Sequence, residues 1–109
     1  MTSIIENNLT TNRRVTCFVC GHRTLDKRCD WDICPVCCWE DDVLVIDEQD
    51  KRSPANKGMM VSEAQANFVL FGASTEQRKD RCRSPRSDES LDPNWRLLAE
   101  AVQTIQSRK

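Results

Sequence analysis

Apolar residues come in short bursts along this chain, and the spacing within each burst predicts an element. Val15 and Thr16 lead into a cysteine-rich stretch as a short strand. Thr24-Leu25 and Trp31-Asp32-Ile33 read as the arms of a hairpin. In the second arm Trp31 and Ile33 alternate with Asp30 and Asp32, the period-2 pattern of a half-buried strand. Val43-Leu44-Val45-Ile46 is a further apolar run of strand type. The period then lengthens. Val61, Ala64, Phe68 and Phe71 share one helical face. Ser62 and Gln65 read as a capping box that starts this helix at Ser62, and Gly72 sits just past its end. Leu91, Trp95, Leu98, Val102 and Ile105 make a second apolar stripe, with Asp92 as N-cap and Pro93 at the first helical position.

Polar stretches separate these elements. Residues 1–12 lack periodicity apart from Ile4 and Ile5 and read as a flexible N-terminal arm. Residues 47–58 read as a polar loop. Residues 74–91, rich in Ser and Arg, read as a polar linker and a mobile loop. The predicted organisation is therefore an arm (1–12), a cysteine-rich unit with the first helix (13–73), the linker (74–91) and a C-terminal amphipathic helix (92–109). The fold class is α+β.

A chain of 109 residues with 39% hydrophobic and 6% aromatic residues can bury only a small core. Such a domain is marginal unless something staples it. The staple is legible in the cysteines. Cys17-Phe-Val-Cys20 and Cys34-Pro-Val-Cys37 are two Cys-x-x-Cys pairs with thirteen residues between them. Two short turns of this kind can converge four thiolates on one tetrahedral cation, and zinc favours such a shell. Gly21, directly after Cys20, supplies the positive φ that the first turn needs. The expected unit is a Cys₄ zinc-ribbon-like β structure packed on the short capped helix. Its Zn²⁺ would be structural, because four protein ligands leave no open position for water.

The seven cysteines do not read as a secreted disulfide scaffold. The count is odd, they come as tight pairs, and Met1-Thr-Ser-Ile-Ile-Glu-Asn-Asn does not read as a signal peptide. The expected setting is a reducing cytoplasm, without membrane association. Cys38 reads as a small packing residue, Cys29 as part of the hairpin, and His22 as a surface or neighbouring group. Cys82 lies between Arg81 and Arg83, so it reads either as a reactive thiolate or as an ordinary loop cysteine. Trp39-Glu40-Asp41-Asp42 reads as a partner-binding patch. Its alternatives are a solvated turn, or acids that cap backbone donors and pair with arginines.

At a net charge of −1, whole-molecule electrostatics does not favour nucleic acid. A basic stretch from Arg78 to Arg86, with Arg13, Arg14 and Arg23, leaves a nucleic-acid-binding face as the alternative.

The string Cys17-x-x-Cys20-Gly21, Thr24-Leu25, Ile33-Cys-Pro-Val-Cys37-x-Trp-Glu-Asp-Asp42, Ala55-Asn56, Ser62-Glu-Ala-Gln-Ala-Asn-Phe68 and Phe71-Gly-Ala73 resembles the bacterial cysteine-rich CPCC domain family over roughly residues 15–75. The resemblance implies zinc binding. The chain departs from the family's usual first motif, Cys-Pro-Cys-Cys-Gly, by Phe18 and Val19, and Cys38 stands where the family often has Phe. From these features the expected function is a protein-binding module, either an immunity-type protein that neutralises a bacterial toxin or an adaptor. An enzyme using Cys82 or the Glu-Asp-Asp run is the weakest expectation.

Overall fold

The computed structural model describes residues 14–28, 30–45 and 49–108. The expected arm (1–12), Arg13, Cys29 and Ile46 lie outside them. The chain forms a small α+β unit in which residues of a two-stranded sheet and a cysteine cluster share a core with one helix, and a second helix packs on the first. Strand β1 (Val15–Thr16) pairs antiparallel with β2 (Arg23–Leu25), with Val15 opposite Leu25 and Thr16 opposite Arg23. Helix α1 covers Val61–Phe71 and helix α2 covers Ala99–Ser107. No helix among the described residues is long and apolar enough to cross a membrane.

The predicted hairpin between residues 24–25 and 31–33 does not form. The partner of β2 is β1, because the first cysteine turn folds its own flanks together. Ile33 instead bridges Glu40 across the second cysteine turn, and Trp31 sits at φ 59 with its side chain exposed. The apolar run at 43–46 is also not a strand where it is described. Asp42 Oδ1 accepts from Leu44 N at 2.8 Å and curls Val43–Val45 into a 3₁₀ turn, which buries Val45 and leaves Val43 and Leu44 exposed.

Helix α1 begins one residue earlier than the capping box predicts. The Glu63 carboxylate accepts from Met60 N at 2.8 Å, and Met60 is the N-cap. Ser62 and Gln65 are both buried. Gly72 ends the helix as expected, with φ 83 and its N–H on Phe68 O. Val61 and Ala64 enter the main core beside Trp39, Val36 and the cysteines.

Helix α2 starts at Ala99, not after Asp92. The Asp92 carboxylate is taken by Thr16 Oγ1 at 2.6 Å and by Asn94 N at 2.9 Å, so it caps a turn rather than a helix. The next residues span the distance to α1. Trp95 Nε1 donates to Phe18 O at 2.7 Å, and Leu98 N donates to Gln65 Oε1 at 2.8 Å. Ala101 and Ile105 then pack on Ala66 of α1, so the C-terminal helix docks on its own domain.

The segment read as a mobile linker is laid against the cysteine turns along its length. Ser74 N donates to Cys37 O, Arg83 N to Pro35 O, Arg23 N to Ser90 O, and Asp92 N to Gly21 O. Glu89 explains much of this. Its side chain is buried, accepts from Arg83 Nη1 and Nη2 at 2.7 and 2.9 Å, and accepts from Arg86 N at 2.8 Å. These bonds to Arg83 and Arg86 hold the carboxyl at about 2, well below its ordinary 4.5.

Candidate metal centre

Two turns of the same construction carry the four thiols. In the first, Cys17 N donates to His22 O and Gly21 N donates to Cys17 O, both at 2.9 Å. In the second, Cys34 N donates to Trp39 O at 2.9 Å and Cys38 N donates to Cys34 O at 2.7 Å. Each turn ends on a residue of positive φ, Gly21 at 81 and Cys38 at 68. Glycine takes that conformation freely, and cysteine does so at a cost.

The turns bring Cys17, Cys20, Cys34 and Cys37 together, with all four sulfurs within 4.8 Å of one another. Cys17 Sγ lies 3.5 Å from Cys37 Sγ, and Cys20 Sγ lies 3.8 Å from Cys34 Sγ. All four side chains are buried. Burial pushes the Cys17 and Cys37 thiols up. Cys34 goes the other way, because hydrogen bonds from Cys17, Cys20 and Cys37, with Thr24 Oγ1 at 3.0 Å, hold its thiolate well below the ordinary thiol range. Four sulfurs this close, sealed from water, suit a soft or borderline cation that takes over the stabilisation of the negative charge. The donor set fits a metal ion, which Cys17, Cys20, Cys34 and Cys37 would hold.

Trp39, Glu40, Asp41 and Asp42 do not form the expected recognition patch. Trp39 is 1% exposed, Asp41 0% and Asp42 1%. They clamp the second turn to its surroundings. Asp41 Oδ1 accepts from Arg28 Nη1 at 2.5 Å, and Arg28 also reaches Thr16 O and lies 4.1 Å over the Phe18 ring. Asp42 Oδ2 accepts from Ser53 Oγ at 2.5 Å. Asn56 grips the Glu40 backbone on both sides, accepting from its N at 2.9 Å and donating to its O at 2.8 Å. Of the alternatives raised for these acids, capping of backbone donors and pairing with arginine is the one observed.

Of the arginines that suggested a nucleic-acid face, Arg14, Arg23 and Arg83 are held by carboxylates. Arg14 lies within 3.8 Å of Asp26, Asp88 and Glu89, Arg23 lies 3.8 Å from Asp92, and Arg83 is committed to Glu89. His22 is not one of the four clustered residues, and its Nδ1 lies 2.7 Å from Glu89 O. Cys38 and Cys82 meet each other outside the cluster, their sulfurs 2.9 Å apart.

Sequence reasoning missed Arg28, Ser53 and Glu89, and the tertiary roles of Asn56 and Gln65, whose partners are mostly distant in the chain. One signal was available. Superposing Cys17-x-x-Cys20-Gly21 on Cys34-x-x-Cys37-Cys38 puts Cys38 in the glycine position of the second turn.

No curated protein and no solved structure matches the chain. Residues 15–89, well over half of the chain, match the family model described as Cysteine-rich CPCC, and the chain belongs to that family.

Proposed function

We propose that the chain is a non-catalytic, zinc-stapled module that binds another protein. The zinc part rests on the cluster. A tetrahedron with Zn–S bonds of about 2.3 Å has edges of about 3.8 Å. The Cys20–Cys34 and Cys17–Cys37 separations of 3.8 and 3.5 Å lie at or near that value. Zinc held this way has no open position, so its role is to hold a zinc-ribbon-like pair of turns together.

The observation that supports protein binding is a rim of exposed apolar residues beside the second turn. Asp41 N donates to Asp32 O, and Ile33 bridges Glu40, so residues 32–33 and 40–41 run side by side and the 3₁₀ turn of Val43–Val45 follows directly. Trp31 (43% exposed), Ile33 (58%), Val43 (41%) and Leu44 (60%) stand out from these stretches and their immediate neighbours. Apolar side chains on a rigid support serve as interface anchors. This rim replaces the buried Trp39 patch as the candidate surface. The finer forms of the reading are an immunity-type protein against a bacterial toxin and an adaptor subunit of the cytoplasm.

The test is capture of partners from native lysate by the zinc-loaded chain, with and without nuclease, at low and high salt, alongside a double variant Ile33→Glu, Leu44→Glu. The expected result is one protein retained stoichiometrically by the wild type in all conditions and lost from the variant. The identity and activity of that protein then separate toxin from adaptor complex. Equal capture by the variant, or capture that disappears with nuclease or salt, overturns the reading.

A further inference from the structure

Cys38 and Cys82 are outside the metal cluster, yet their sulfurs are closer together than those of the Cys17–Cys37 and Cys20–Cys34 pairs within it, 2.9 Å against 3.5 and 3.8 Å. Three further observations single out the pair. Cys38 occupies a left-handed position, φ 68, that its counterpart Gly21 fills without strain. A side chain kept at such a position points to a use for it. Next, Arg78 Nη1 donates to Cys38 O at 3.2 Å and Cys82 Sγ lies 3.3 Å from Arg78 O, so one residue fixes both cysteines. Finally, their accessibility differs. Cys38 is 6% exposed, whereas Cys82 is half-buried and lines a cavity of about 260 Å³ with Val36, Phe68, Lys79 and Pro85.

We propose that Cys38 and Cys82 form a second thiol site, a dithiol that glutathione disulfide or a similar small disulfide oxidises to an intramolecular disulfide while the metal cluster stays intact. The Cys82 sulfur, the accessible one, attacks the small disulfide. One glutathione leaves, and Cys82 is left in a mixed disulfide. Cys38 then attacks the Cys82 sulfur, and the second glutathione leaves. Both protein thiols lose a hydrogen, and one glutathione disulfide becomes two glutathiones. Closing the bond brings the sulfurs from 2.9 Å to about 2.05 Å. The bond ties residues 76–91 covalently to the second cysteine turn. Burial, with Cys38 beside it, pushes the Cys82 thiol up to about 12, so the reaction at neutral pH is slow and is followed over hours.

The experiment uses the zinc-loaded full chain with excess glutathione disulfide, followed by alkylation, Asp-N digestion and mass spectrometry. The expected product has lost two hydrogens, retains its zinc, and yields the peptide that begins at Asp80 linked to the peptide that begins at Asp32. A Cys38→Ser variant is expected to stop at the glutathione adduct on Cys82, and a Cys82→Ser variant to form neither species. Both variants should retain full zinc, which shows that they fold. Zinc loss with disulfides among Cys17, Cys20, Cys34 and Cys37 would overturn the proposal. So would a link from Cys82 to Cys29, or stable glutathione adducts on the wild type without closure.

Discussion

A Cβ added at Gly21 would lie 2.5 Å from Trp95 Cδ2 and Cε3 and 3.0 Å from Leu91 Cδ1. The Trp95 ring cannot step aside cheaply, since its Nε1 is held on Phe18 O at 2.7 Å. Gly72 supplies a control. It has nearly the same φ, 83 against 81, and a Cβ added there would meet nothing within 4 Å. Gly72→Ala should therefore show only the left-handed penalty, about 1 kcal/mol. Gly21→Ala should add overpacking of about 2 kcal/mol, for about 3 kcal/mol in all. The assay is urea unfolding of both variants at one buffered free-zinc concentration, because metal binding contributes to apparent stability by mass action. A Trp95→Ala background separates the two causes. In it the added cost of Gly21→Ala should fall to nearly that of Gly72→Ala. Equal losses for the two glycine variants in the wild-type background would refute the steric argument, and an unchanged Gly21→Ala cost without Trp95 would refute the identity of the clashing group.

Glu89→Gln tests the buried carboxylate. Because its folded value is depressed, its contribution is present above about 4.5 and is lost as pH falls toward about 2; the wild-type advantage over the variant, up to about 3 kcal/mol, should shrink across that window in urea midpoints taken at successive pH values. On the proposed zinc reading, treating the zinc-loaded chain with a chelator should cost on the order of 10 kcal/mol of apparent stability and collapse amide protection, and Ser at Cys17, Cys20, Cys34 or Cys37 should abolish stoichiometric zinc as read by native mass spectrometry. Asn56→Ala leaves both backbone groups of Glu40 without their partner and removes one of the bonds to the Ser53 hydroxyl, so it should lower stability by about 2–3 kcal/mol in thermal or urea unfolding while zinc stoichiometry is kept.

The elements that could be read from the chain are those governed by neighbours. Gly72 ends α1 because a left-handed residue is needed there, and Gly21 follows Cys20 for the same local reason. The four candidate ligands were legible because Cys-x-x-Cys turns bring their own sulfurs together, and two such pairs need only one meeting point. The capping signals were less dependable. Asp92 looks like an N-cap, but Thr16, far away in sequence, takes its carboxylate first. Ser62 and Gln65 look like a box, but Gln65 is used to join Phe18 and Leu98 instead. The polar run 74–91 reads as a linker only while the buried seat of Glu89 is unknown.

By itself the sequence determined that this is a small α+β chain with two cysteine turns and two apolar helical stripes, since these follow from spacing over a few residues. Tertiary structure alone decided the rest. Trp39, Asp41 and Asp42 have the composition of a recognition patch, yet burial against Arg28, Ser53 and the Asn56 turn makes them a clamp. Cys38 and Cys82 are forty-four positions apart and meet only because residues 76–91 are drawn back over the second turn. Such meetings depend on long-range desolvation and hydrogen-bond satisfaction, for which local spacing carries no signal.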